Sequence, residues 1–185
     1  MRRYLLLALV LMLLVGVVAV APALATKPVK EVPFRATLGG DTASFNDNPD
    51  TVAARCDNED ALFVTTFEGT GRATHLGRVE VEAQHCSQPL TTDPLGPVVY
   101  GEGRLTLTAA NGDVLEAAYF DGYSELFDFG PDGPVFEFTD TFEFMDGGTG
   151  RFTFASGGGT ETGFFTPSTS EWSVVMEGTI AYGRK

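Results

Sequence analysis

The sequence predicts an all-β protein, and three observations indicate this fold class. Apolar and polar residues alternate in many short segments between residues 31 and 182, which is the period of a strand with one buried face. Glycine-containing turns separate successive alternating segments. No segment of useful length shows the 3.6-residue period of an amphipathic helix.

The first hairpin is predicted at His75-Leu76-Gly77, a three-residue loop with glycine in its last, left-handed position. This loop pairs Arg72 with Glu80 and Ala73 with Val79. A one-residue slip would mix the apolar and polar faces, and a sheet with one buried side does not tolerate that.

A second hairpin of the same form is predicted at Ala110-Asn111-Gly112. A two-residue Asn-Gly turn would set Leu107 against Glu116, whereas the three-residue loop sets Leu107 against Leu115. Polarity therefore favours the longer loop, and both loop glycines, Gly77 and Gly112, are expected at positive φ.

Continuing along the chain gives eight strands, at roughly 31–38, 61–75, 78–86, 98–109, 113–123, 135–145, 151–156 and 171–182. The segment 39–60, rich in Asp, Asn and Gly, is predicted to be a long surface loop. Sequential hairpins with one apolar face close most simply into an antiparallel up-and-down barrel. Eight strands leave an interior that side chains fill or that holds one small ligand. A two-sheet β-sandwich is the alternative architecture.

The N-terminus has the layout of a signal peptide. Arg2 and Arg3 precede an unbroken apolar run, Tyr4 to Val20, and Ala23-Leu24-Ala25 supplies small residues for cleavage. Cleavage after Ala25 predicts a secreted protein of one domain, residues 26–185, without a membrane span. The alternative is an uncleaved membrane anchor, although 17 apolar residues are at the short limit of what crosses a bilayer.

Charge limits the kinds of partner. The chain has 25 acidic and 12 basic residues, and loss of Arg2 and Arg3 leaves a net charge of 12 − 2 − 25 = −15. Such a surface repels phosphate backbones, so no nucleic-acid partner is expected. The acidic residues of 39–60 are interpreted as a solvated loop, with a hard cation such as calcium as the alternative.

The two cysteines, Cys56 and Cys86, are predicted to form a disulfide, because an exported protein folds in an oxidising compartment. The alternative is a metal site that includes His85. Neighbouring residues on a strand point to opposite faces, so His85 and Cys86 would converge poorly on one ion. The sequence contains neither a phosphate-binding glycine loop nor a nucleophile elbow, and we predict no cofactor and no metal.

Three polar residues fall on predicted apolar faces and are the candidate catalytic residues: His85, Asp121 and Asp140. A buried acid or imidazole is costly unless it is paired or kept for function. The alternative is that these positions lie near a barrel mouth or beside a bulge and touch water. The aromatic residues that flank the two acids are the candidate ligand-binding residues: Tyr119, Tyr123, Phe138 and Phe142.

Six phenylalanines are predicted to face the interior and to carry Asp140 with them, since the opposite parity is rich in Glu and Thr: Phe136, Phe138, Phe142, Phe144, Phe152 and Phe154. Burial would raise the pKa of Asp140. Its predicted partner is an inward-turned arginine or one of four aromatic residues: Tyr119, Tyr123, Tyr182 or His85.

The segment Gly147–Gly157, GGTGRFTFASG, resembles the GGTG-containing turn and strand of plant dirigent proteins, and allene oxide cyclases have a similar segment. Ala73–Arg78 and Thr108–Asp113 resemble hairpins of uncharacterised secreted bacterial proteins related to the same barrel group. The resemblance implies a calycin-like eight-stranded barrel over most of residues 31–183. Members of this group steer cyclisation or coupling of apolar molecules without a cofactor. Their pocket residues do not map one by one onto this chain.

Two function classes follow. The first is an exported barrel that binds a small apolar or aromatic molecule, or that serves as an interaction module. The second is a cofactor-free cyclase or isomerase that uses His85, Asp121 or Asp140. The sequence leaves the oligomeric state open. A barrel packed solid with phenylalanine would disfavour an internal ligand of either kind.

Overall fold

The computed structural model describes residues 30–183. Its elements are eight strands and two short helical segments, listed here in chain order: β1 Val32–Asn46, α1 Pro49–Arg55, β2 Phe63–Ala73, β3 Gly77–Pro89, β4 Val98–Ala109, β5 Val114–Gly130, β6 Gly133–Phe144, the 3-10 turn Gly150–Phe152, β7 Ser156–Thr166 and β8 Glu171–Ala181.

The strands form one closed barrel in the order β1 to β8. Each strand pairs antiparallel with its sequence neighbours, and β1 closes the sheet on β8 through pairs such as Ala36 with Met176. The predicted up-and-down barrel is therefore confirmed, and the sandwich alternative is excluded.

The second hairpin has the predicted register, with Leu107 opposite Leu115. The first hairpin is shifted by two residues, because Ala73 pairs with Gly77 and Arg72 with Arg78. A two-residue shift keeps every side chain on its face, so polarity could not distinguish the two registers. The loop conformation sets the register, because His75 and Gly77 adopt positive φ angles of 69° and 80°.

The predicted surface loop at 39–60 is wrong. Strand β1 continues through Asn46 and is followed by α1. The side chain of Asn48 caps α1 by accepting hydrogen bonds from the backbone N–H groups of Asp50 and Thr51. Glycines interrupt the alternation that would have indicated the strand, and a helix of seven residues is too short to give a helical period.

The predicted strand at 151–156 is also wrong. The chain forms the 3-10 turn there, and the strand follows at Ser156–Thr166, where Gly157-Gly158-Gly159 had concealed it. Phe152 is fully buried, but Phe154 is 76% exposed. The inward prediction therefore holds for Phe152 and fails for Phe154.

The two ends of the barrel differ. At one end, the 3-10 turn and two tight hairpins cover a solid core that contains Phe142, Phe152 and Ile180, all without exposed surface. At the other end lie the connections that join β1 to β2, β3 to β4, β5 to β6 and β7 to β8. We call the first the closed end and the second the mouth.

Two bulges lie side by side on β4 and β5. The register slips near Glu102 and near Asp121, and both residues have positive φ, 52° and 57°. Each bulge reverses which parity faces inward. Tyr100 therefore points into the barrel, whereas Asp121 is exposed on the outer wall.

The predicted disulfide is present, and it ties the end of α1 to the outer wall of β3. Cys56 and Cys86 are bonded with their Cα atoms 5.8 Å apart. Val52 of α1 packs beside Cys86 in a small apolar cluster outside the barrel. Arg55 donates to Gln84 Oε1 at 2.8 Å and to the backbone oxygen of Glu102 at 2.7 Å.

The predicted signal peptide, residues 1–25, lies outside the described residues. Within residues 30–183, no helix is long and apolar enough to cross a membrane.

Replacing Gly112 with Ala should lower the free energy of unfolding by about 1 kcal/mol, because a Cβ is strained at its φ of 82°. Gly101→Ala is the matched control, since a Cβ there also meets no atom within 4 Å and its φ is not positive. Urea unfolding of both variants measures the difference. Equal stability of the two variants would contradict the left-handed loop position.

Replacing both Cys56 and Cys86 with Ala should lower the free energy of unfolding by about 3–4 kcal/mol, because the crosslink closes a loop across a sequence separation of 30. The parent protein should gain the mass of two hydrogen atoms on reduction. Circular dichroism checks that the barrel persists in the variant. Two free thiols in protein produced in an oxidising compartment would show that the bond does not form.

Candidate functional site

The barrel contains a cavity of about 230 Å³ between its middle and the mouth. Its wall is mostly apolar and aromatic, and Phe45 at the rim is 49% exposed, so the cavity opens at the mouth. Pro94 and Pro167 border it from two of the mouth connections. The interior is therefore not packed solid, and space for an internal ligand exists.

Four large aromatic residues of the cavity wall each pair across strands with a glycine: Tyr100 with Gly122, Tyr119 with Gly103, Phe138 with Gly163 and Trp172 with Gly40. A Cβ on any of these glycines would lie within 3 Å of the facing ring. Each ring therefore lies against bare backbone instead of crossing the lumen, and this arrangement leaves the cavity open.

Asp140 lies on the cavity wall, 6% exposed, as predicted from the phenylalanine parity. Its Oδ2 accepts a hydrogen bond from the Tyr100 hydroxyl at 2.7 Å, and Oδ1 has no partner among the described residues. Burial raises the pKa of Asp140 to about 6, although the Tyr100 hydrogen bond opposes the shift. Tyr100 was not among the partners that the sequence suggested.

Glu161 is a second buried acid that the sequence did not reveal. It pairs with Asp140 across β6 and β7 and is 7% exposed. Its Oε1 has no partner within the described chain. Burial first, and then the charge of Asp140, raise the pKa of Glu161 well above its ordinary value.

Glu161 was not predicted as a buried acid because strand β7 was not predicted. The alternation of Thr160, Glu161 and Thr162 was the available signal, since threonine favours strands, but three preceding glycines obscured it. Tyr100 was missed because the bulge at Glu102 reverses the parity of β4.

His85 lines the cavity as expected. Its Nδ1 lies 3.0 Å from the Tyr119 hydroxyl, and its ring stacks on Tyr100 with centroids 4.4 Å apart. Burial, with a smaller contribution from the positive charge of Arg55, lowers the pKa of His85 to about 3. The imidazole is therefore neutral at physiological pH.

The structure separates the other predicted site residues. Tyr119 and Phe138 line the cavity, but Phe142 is buried in the closed end and does not. The inward positions predicted for Asp121 and Tyr123 are wrong, because the β5 bulge turns both to the outer wall. Tyr123 is 39% exposed there.

The cavity thus combines an aromatic wall with one polar patch. This patch contains the Asp140–Glu161 acid pair and the neutral donors and acceptors of Tyr100, Tyr119 and His85. Such a patch can orient a small molecule by hydrogen bonds or exchange a proton with it. In residues 30–183, no group of three or more His, Cys, Asp or Glu side chains is arranged to hold a metal ion.

Comparison of the chain with protein-family models, with curated proteins and with solved structures finds no match.

The acid pair should make the protein less stable as the pH rises. Both carboxyls ionise near pH 4 in the unfolded chain, whereas the folded state holds their protons to higher pH. The folded state therefore binds more protons between about pH 4 and 7, and the free energy of unfolding falls across this range by on the order of 1–3 kcal/mol.

The double variant Asp140→Asn with Glu161→Gln should flatten this dependence, measured by urea unfolding at several pH values. Glu143→Gln is the control, an exposed carboxylate on the outer face of the same strand as Asp140. Its pH dependence should match that of the parent. An equal slope in the double variant would show that the pair does not hold its protons.

Proposed function

We propose that this chain is an exported barrel that binds one small, largely apolar or aromatic molecule in its cavity. The observation that carries the proposal is an aromatic cavity of about 230 Å³ that opens at the mouth and has a single polar patch. Apolar walls with a few convergent polar groups are typical of small-molecule sites.

The size of the cavity supports a ligand with one or two rings. An engineered apolar cavity of about 150 Å³ in another protein stays dry and binds benzene. The cavity of this barrel is larger, and four aromatic side chains offer flat surfaces to a planar ligand: Tyr100, Tyr119, Phe138 and Trp172.

Export is supported by two features. The first 25 residues have the pattern of a cleavable signal. The disulfide between Cys56 and Cys86 is typical of proteins that fold outside the cytoplasm.

A second candidate function is a cofactor-free isomerase or cyclase, in line with the resemblance to dirigent proteins and allene oxide cyclases. The Asp140–Glu161 pair favours it, because two acids with raised pKa values can give and take a proton near neutral pH. Tyr100 would hold Asp140 in place through its 2.7 Å hydrogen bond.

Filling the cavity should abolish binding. Ala83 lines the cavity, so Ala83→Leu should weaken binding of an apolar fluorescent probe at least tenfold by occupying its space. Ala118 on the outer wall of β5 provides the control Ala118→Leu, which should bind like the parent. Titration of probe fluorescence measures both. Unchanged binding by Ala83→Leu would overturn the internal site.

Native mass spectrometry of protein purified from its own host tests the choice between the two functions. A binding protein should release its bound molecule unchanged after prolonged incubation. Because an isomer has the same mass as its parent compound, the released compound is then analysed by liquid chromatography. An isomerase should return a compound with a different retention time, and Asp140→Asn should prevent that conversion.

A further inference from the structure

Two acid groups with free acceptor atoms face the same cavity. Asp140 and Glu161 are each more than nine-tenths buried and stand opposite one another on β6 and β7. One oxygen of each, Asp140 Oδ1 and Glu161 Oε1, has no partner among the described residues. A buried polar atom without a partner costs stability, so these two oxygens call for a donor from outside the chain.

Within residues 30–183, no positive charge reaches this pair from inside the cavity. No lysine or arginine lines the wall formed by the described residues. Arg55, whose charge lowers the pKa of the cavity residue His85, is held on the outer wall by Gln84 and the backbone of Glu102.

The walls around the acid pair suit a cation with an apolar body. The rings of Tyr100, Tyr119, Phe138 and Trp172 line the same cavity, and aromatic faces attract ammonium groups. A neutral hydrocarbon would fill the aromatic part of the cavity and leave both carboxyl oxygens without a donor.

The mouth is strongly acidic. Residues 47–62, 90–97, 124–133 and 167–171 form the connections at this end and the adjoining strand ends. They contain one basic residue, Arg55, with ten exposed acidic residues: Asp47, Asp50, Asp57, Glu59, Asp60, Asp93, Glu125, Asp128, Asp132 and Glu171. A cleft rimmed by one sign of charge concentrates ligands of the opposite sign and speeds their association.

We infer that the ligand of this cavity is a small aromatic or aliphatic amine in its protonated form, held by Asp140 and Glu161. This inference rests on the proposed function and names its ligand class. An ammonium group has three donors and no acceptor, and it matches the two free oxygens of the acid pair. One carboxylate balances the charge of the ammonium, so an acid pair that still holds both protons releases one of them to solvent as the amine docks, and the other acid keeps its proton.

The test compares 2-phenylethylamine with propylbenzene, which replaces the ammonium by a methyl group of similar size. We expect the amine to bind the full mature chain at least tenfold more tightly at pH 7.5, measured by displacement of the apolar fluorescent probe. Asp140→Asn and Glu161→Gln should each remove most of this preference. Glu143→Gln on the outer wall should keep the preference.

The pH dependence gives a second readout. Amine affinity should rise between pH 5.5 and 8, because the acid pair becomes easier to ionise while an alkylammonium, like lysine, stays charged. The other titratable groups on the cavity wall keep their neutral forms: burial lowers the pKa of His85 and raises those of Tyr100 and Tyr119. The walls from β1, β2 and β8 present Leu38, Phe67 and Trp172, which do not titrate.

The outcomes separate the two proposals. If propylbenzene binds as tightly as the amine, or if amine affinity falls as the pH rises, the amine inference is overturned while the cavity remains a binding site. A neutral ketone, 1-phenylpropan-2-one, that binds more tightly than the amine would show that the acids donate protons instead. If neither the probe nor any of these compounds binds, the proposed function itself fails.

Discussion

Closure of the sheet on itself governs the rest of this structure. Strand β1 pairs with both β2 and β8, so every strand has two hydrogen-bonded neighbours and one face that must point inward. Closure removes the exposed strand edges that promote aggregation. It also makes the inward face a single continuous environment, and a polar residue there must find a partner inside the barrel or a ligand.

The interior divides into a packed half and an open half because of where glycine is placed. Toward the closed end, large side chains meet each other directly, as Phe34 does with Phe144 at 4.9 Å between centroids. Toward the mouth, large rings face glycines instead, as Tyr119 does with Gly103. Inward aromatic side chains therefore form a solid core where they pack on one another and border a cavity where they pack on glycine.

We call α1 with its Cys56–Cys86 disulfide the outer brace, and it is connected to the cavity through the bulge of β4. The side chain of Cys86 points to the outer wall, where it forms the disulfide, while its neighbours His85 and Ser87 face inward. Glu102, the bulge residue of β4, accepts hydrogen bonds from the backbone N–H groups of Asp57 and Asn58 just after α1. By fixing this bulge, the brace also fixes the direction of Tyr100, which holds Asp140.

The sequence by itself determined the all-β class, the up-and-down order, the disulfide and the inward face of β6 with Asp140. Each of these follows from period-two alternation or from residue counting, which are local properties. Only the tertiary structure decided the rest. The bulges at Glu102 and Asp121 reversed parity in mid-strand, and no local pattern marks where a strand gains a residue. Glu161 meets Asp140 because β7 pairs with β6 across a glycine-rich segment, so the acid pair exists only once the barrel has closed.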